Sequence, residues 1–126
     1  MAHLRTGIDM VEIERFEAAL RRHGTRFLER VFTAQELAEV GQNTASLAAR
    51  FAAKEAAAKA LGTGIGSVTW REIEILRGPA REPTLCLHGA AVSLAQSLHL
   101  GAWSVSLSHT RTHAVAVVVL QGSDAN

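Results

Sequence analysis

The chain has 126 residues, 48% of them apolar and 20% charged, which suits one globular domain with a real core and excludes a disordered chain. Its net charge of +1 leaves no global field for nucleic acid, so no such partner is expected, although a local basic patch remains open. The lone Cys86 excludes an intrachain disulfide, no apolar run nears the ~18 residues of a membrane span, and MAHLRTGIDMVE has no signal-peptide pattern, so a soluble cytoplasmic protein without membrane contact is expected.

Residues 3–9 read as a short strand ending near Asp9. A helix follows, with Val11, Phe16, Ala19 and Leu20 as its apolar residues and Gly24 as its stop. Around it stand Arg15, Arg21, Arg22, Arg26 and Arg30. They read either as a solvated face with i,i+4 pairs or as a docking patch for an acidic partner. Arg21 and Arg22, next to His23, have no acidic neighbour in sequence, which favours the patch. Thr33 and Glu36 fit a capping box, so a short helix is expected to start there and to end at residues 41–44.

Residues 46–61, SLAARFAAKEAAAKAL, read as one long helix, half alanine and free of Pro, Gly and β-branched residues. Leu47, Phe51 and Glu55 share a face, which points the carboxylate toward packed structure, an arrangement that needs an answering cation. The helix stops at Gly62, Gly64 and Gly66. This loop follows a helix rather than preceding one, so it is a poor P-loop and a good C-cap and turn, yet one that lets backbone approach a ligand.

The second half reads as mostly strand. Residues 68–76 alternate in part, residues 77–83 form a turn, and residues 84–88 form a short strand. Residues 89–100 form a helix closed by Gly101. In residues 103–108, Trp103, Val105 and Leu107 face one way and three serines the other. Residues 113–120 return as a largely apolar strand expected to be buried, and residues 121–126 as a mobile tail. Helices first and antiparallel strands after make the expected class α+β, with residues 1–120 as the domain.

Taken singly, the polar residues that carry chemistry have ordinary readings. Asp9 fits a helix N-cap. Glu55 and Lys59 fit an i,i+4 pair, and His109 fits an exposed turn. Arg50, Lys54 and Lys59 crowd one carboxylate, which is odd for stability and natural for binding phosphates.

Three stretches in this order, GIDMVEIERF (residues 7–16), RFAAKEAAAKALGTGIG (residues 50–66) and SLSHTRTHAVAVVV (residues 106–119), with FTAQEL (residues 32–37) between the first two, resemble the phosphopantetheinyl transferases, most nearly their short bacterial type, the holo-[acyl carrier protein] synthases. The resemblance runs from about residue 7 to residue 120. It implies transfer of the phosphopantetheine arm of coenzyme A to a serine of an apo acyl carrier protein, with release of adenosine 3′,5′-bisphosphate, in the cytoplasm and in the service of fatty acid synthesis. It implies the fold of that family and a homotrimer with active sites between subunits.

The resemblance also implies residue roles. Asp9 and Glu55 match the family's Mg²⁺ ligands, and Mg²⁺ commonly takes one or two carboxylates plus substrate phosphates. Lys59 and Lys54 are expected on the coenzyme A phosphates, with Gly62, Gly64, Gly66, Ser108, His109 and Thr110 near the cofactor. The proton on the attacking serine has three candidate acceptors, Glu55, a metal-bound water and His109, of which the first two are favoured. Arg15, Arg21, Arg22 and Arg26 are expected to grip the acidic carrier. Two other readings share the acidic pair or the patch: another metal-dependent enzyme acting on a pyrophosphate, such as a nucleotide hydrolase, and a non-catalytic module that binds coenzyme A or the carrier.

Overall fold

A computed structural model describes residues 1–124 of the chain. The elements run β1 (Ala2–Glu12), α1 (Ile13–Val31), α2 (Ala34–Val40), α3 (Thr44–Leu61), a 3-10 turn (Trp70–Glu72), β2 (Ile73–Arg77), β3 (Pro83–Leu87), α4 (Gly89–Ser97), β4 (Leu100–His109) and β5 (His113–Ser123). The α+β class holds. Strands β1, β5 and β4 form an antiparallel sheet in that order, and β2 and β3 form a separate hairpin.

Helix α3 runs through the middle. Ala52, Ala53, Ala56, Ala57 and Ala60 are buried against Ile73, Ile75, Leu85 and Leu87 of the hairpin and Val105, Ala116, Val118 and Leu120 of the sheet. Alanine allows this because its short side chain lets a backbone come close on every side. The closest approach is at Gly7, where an added Cβ would collide with the carbonyl of Ala56 and stand 2.9 Å from the amide nitrogen of Ala60. A second cluster joins Ile13 and Phe16 of α1 to Val31, Phe32, Val40 and Leu47.

Several boundaries differ from the sequence expectation, each for a local reason. Strand β1 runs past Asp9 to Glu12 because it pairs residue for residue with β5. Asp9 is therefore mid-strand and not an N-cap; the cap position is Glu12, and the Ile13 amide donates to Thr112 O at 2.9 Å. Gly24 breaks α1 at φ 57°, ψ −136° rather than ending it. Residues 70–72 turn instead of extending, because Glu72 Oε1 accepts from the Thr69 amide at 2.8 Å. Helix α4 ends at Ser97, and Leu100 belongs to β4. Residues 121–123 are not tail: Gln121, Gly122 and Ser123 pair with Leu4, His3 and Ala2. Residues 125 and 126, the end of that expected tail, lie outside the described residues. The capping box at Thr33 and Glu36 forms as expected, and Gly62 caps α3 at φ 87°.

Strand β5 is covered on one face only. Ala114, Ala116, Val118 and Leu120 are buried, whereas Val117 is 38% exposed. On that same open face of β1, Leu4 is 66%, Ile8 61% and Met10 65% exposed.

Candidate active site

Asp9 lies on the α3 side of β1, because side chains alternate along a strand and Gly7, two residues before it, touches the helix. Lys59 Nζ donates to Asp9 Oδ1 and to Ile8 O, both at 3.0 Å. The expected Glu55–Lys59 pair does not form; the lysine reaches across to the strand instead. Phe51, Glu55 and Lys59, spaced at i, i+4, i+8, are the stripe of α3 left open. Glu55 is thus half-buried rather than packed inside. Burial first, and then the charge of Asp9, push its carboxyl above the usual carboxylate range, against the opposing pull of Lys59.

Two carboxylates that repel each other form an arrangement a divalent cation would relieve. Among the described residues no cluster of three or more His, Cys, Asp or Glu is placed to hold a metal ion. A cation held here would take only this pair of oxygen donors from the chain and leave its remaining positions to substrate and water, the manner in which Mg²⁺ is usually held.

Lys54 is not a phosphate ligand. It is fully buried, and its ammonium donates to Glu36 Oε1 at 2.8 Å, Trp70 O at 3.0 Å and Ile73 O at 2.7 Å. An ammonium has three donors, so none is left for a ligand. Burial lowers its pKa, partly offset by Glu36. Arg50 is buried and is turned away from Glu55 toward Glu39 Oε1 at 2.8 Å and Ile75 O at 2.6 Å. The apparent crowd of cations around Glu55 therefore reduces to Lys59.

Gly62, Gly64 and Gly66 all take positive φ, at 87°, 68° and 144°, so this loop exposes backbone that side chains would otherwise cover. Ser108, His109 and Thr110 lie elsewhere. Leu107 and Asp9 both flank Ala116 of β5, so His109 is two strands across and two residues along from Asp9, about 12 Å between α-carbons. Ser108 faces the open side of the sheet with Val115 and Met10. Thr110 closes the β4–β5 turn, its Oγ1 accepting from the Thr112 and His113 amides at 3.2 and 3.1 Å. His109 borders a separate cleft of about 160 Å³ with Arg50, Arg77 and Arg81. One chain thus carries two groups of candidate residues that do not meet.

Arg15, Arg21, Arg22 and Arg26 are all exposed. Among the described residues none of them has a carboxylate within 4 Å, so the i,i+4 pairs of the solvated-face reading do not form. Arg22 and Arg26 flank the break at Gly24 and, with Arg30, His23 and Phe27, line a cleft of about 660 Å³. Phe27 joins an aromatic row, 6.1 Å from Phe51, which stacks on Trp70 at 4.8 Å. Sequence reasoning missed this row, since Phe27, Phe51 and Trp70 are far apart in the chain. It also missed Gly7, although a glycine inside a strand is itself a sign of close backbone approach.

Comparison with known proteins identifies the family. Residues 5–118 match the family model of the 4'-phosphopantetheinyl transferase superfamily. A holo-[acyl-carrier-protein] synthase of Herpetosiphon aurantiacus is 48% identical, covering 94% of this chain and 99% of the relative. One of Solidesulfovibrio magneticus is 51% identical over 92% and 96%. The crystal structure of Helicobacter pylori holo-[acyl-carrier-protein] synthase in complex with coenzyme A superposes with a TM-score of 0.84 at 34% identity, covering 91% of this chain and 98% of that one. Matched over nearly its whole length by family model, relatives and solved fold alike, the chain belongs to the 4'-phosphopantetheinyl transferase superfamily, in its holo-[acyl-carrier-protein] synthase branch.

Proposed function

We propose that the chain moves the 4'-phosphopantetheine arm of coenzyme A onto a serine of an apo acyl carrier protein. The serine oxygen forms a bond to the phosphorus that carries the arm. The bond from that phosphorus to the bridging oxygen breaks, and adenosine 3′,5′-bisphosphate leaves. The observation that carries this reading is the acidic pair Asp9 and Glu55 beside Lys59, in a chain nearly half identical to holo-[acyl-carrier-protein] synthases.

Asp9 and Glu55 would hold Mg²⁺, which when bound neutralises charge on the diphosphate as the bond breaks. The rest falls to the chain. Lys59 is half exposed and one helical turn from Glu55, so its ammonium can leave Asp9 for a phosphate oxygen. The glycine loop lets the cofactor lie close to backbone. Glu55, at the edge of solvent, is the nearer acceptor for the serine proton; His109 of the same chain is two strands away. Arg15, Arg21, Arg22 and Arg26 bind the acidic carrier, and Arg30 joins Arg22 and Arg26 on the cleft.

A homotrimer with sites between subunits is supported by two features. The open sheet face presents Leu4, Ile8, Met10 and Val117 to water on two neighbouring strands, and apolar residues grouped in this way mark an interaction surface. The His109 group, separate from Asp9 within one chain, is free to complete the site of a neighbouring copy. A single domain in the cytoplasm fits the unpaired Cys86.

The test is to weigh apo carrier after incubation with the protein, Mg²⁺ and coenzyme A. A gain of one phosphopantetheine arm, lost when the metal is chelated, is the expected result. Free phosphopantetheine without a carrier gain would mean hydrolysis, and binding without turnover a module, and either would overturn the reading. Arg22→Glu is expected to raise the KM for carrier and leave that for coenzyme A near wild type; equal effects on both would remove the patch from docking.

A further inference from the structure

The seam between β1 and α3 carries one more cation. Arg5 lies on the same side of β1 as Gly7 and Asp9. Its Nε donates to Ala60 O at 2.7 Å, one of the last-turn carbonyls that a helix leaves without an internal partner. This places the guanidinium against Gly62, where an added Cβ would stand 2.6 Å from Nη2. The glycine loop opens at that residue.

A guanidinium has five N–H donors in a planar fork. Among the described residues only the Nε donor has a hydrogen-bond acceptor, and no carboxylate lies within 4 Å of the group. Four donors on the two terminal nitrogens therefore stand unspent, beside three positive-φ glycines that leave backbone bare. Charge adds to the argument. The end of α3 carries the negative pole of the helix dipole and would repel an anion. Arg5, with Lys59 one residue before Ala60, reverses that sign.

We propose that Arg5 contacts a phosphate of the nucleotide half of coenzyme A beside the glycine loop. This rests on the transferase reading above. The phosphate belongs either to the diphosphate bridge or to the ribose 3′ position, and two ligands separate them: coenzyme A has both, dephospho-coenzyme A lacks the second.

The experiment is a calorimetric titration of both ligands into wild type, Arg5→Ala, Arg5→Lys and Arg5→Gln, with Mg²⁺ and without carrier, beside melting curves. Arg5→Ala is expected to weaken coenzyme A binding by about tenfold or more, the size of a lost charge-assisted hydrogen bond. Lysine is expected to recover part of this, as a point charge without the fork. Glutamine keeps a neutral donor for Ala60 O and is expected to bind as weakly as alanine. A loss confined to coenzyme A assigns the contact to the 3′-phosphate, and an equal loss for both ligands assigns it to the diphosphate; either result supports the role. Unchanged affinity in Arg5→Ala with a lowered melting temperature, or wild-type affinity in Arg5→Gln, would reduce Arg5 to a helix cap and overturn the proposal. Wild type failing to bind either ligand would instead bring down the transferase reading, and Arg5's role with it.

Discussion

Glu55 and Lys54 are neighbours in sequence with opposite fates. Glu55 is held above the usual carboxylate range by burial and by Asp9. A carboxyl raised on folding binds its proton more tightly in the native state, so in metal-free protein its contribution to stability is present below its unfolded pKa and is lost as pH rises through the folded one. Glu55→Gln, measured in chelator, is expected to melt higher than wild type above that window and alike below it, while transfer falls by about 10²-fold or more. Lys54→Met removes half of a buried ion pair and leaves Glu36 unanswered. It is expected to cost about 3–5 kcal/mol in urea unfolding, with the KM for coenzyme A unchanged in the protein that remains folded. The sequence did contain the signal for this. Leu47, Lys54 and Leu61 stand seven apart and share a helix face, so Lys54 follows the leucines inward while Glu55 falls on the neighbouring stripe. What a single chain of letters lacked was the acceptor set, since Glu36, Trp70 and Ile73 come from three other segments.

At the scale of elements, the contact between β1 and α3 sets the distance from Asp9 to the helix. Gly7→Ala would push its methyl group into the Ala56 carbonyl. It is expected to destabilise by about 1–3 kcal/mol, and also to lower kcat by about 10²-fold, since a displacement near 1 Å suffices for that. Stability from urea curves and kcat from carrier turnover check the two effects separately. Elements whose ends are fixed by local chemistry were legible: the Thr33 and Glu36 capping box and the Gly62 cap stand where the letters put them. Elements fixed by distant pairing were not. The length of β1 is set by β5, more than a hundred residues away, and Gly24 interrupts α1 without ending it because Phe27 beyond the break still packs against Phe16.

For the molecule as a whole, the open sheet face is the feature that a lone chain leaves unexplained. Ile8 and Val117 face each other across the β1–β5 ladder, both exposed. Ile8→Glu places a charge there at little cost to a monomer and at a high cost to an assembly that buries it. Sedimentation equilibrium is expected to show three copies for wild type and one for Ile8→Glu, with turnover lost alongside. The α+β class and the run of motifs were readable from sequence, whereas the separation of the candidate residues into two groups appears only once the strands are ordered β1, β5, β4. Helix α3, with the β2–β3 hairpin on one flank and the three-stranded sheet on the other, has a last consequence. Its alanines leave no slack for larger side chains, so adaptation to a new acyl or nucleotide donor has to be recruited from the periphery. A library selected for altered donor preference should gather its changes in the glycine loop and the hairpin tip, and return the alanines of α3 untouched.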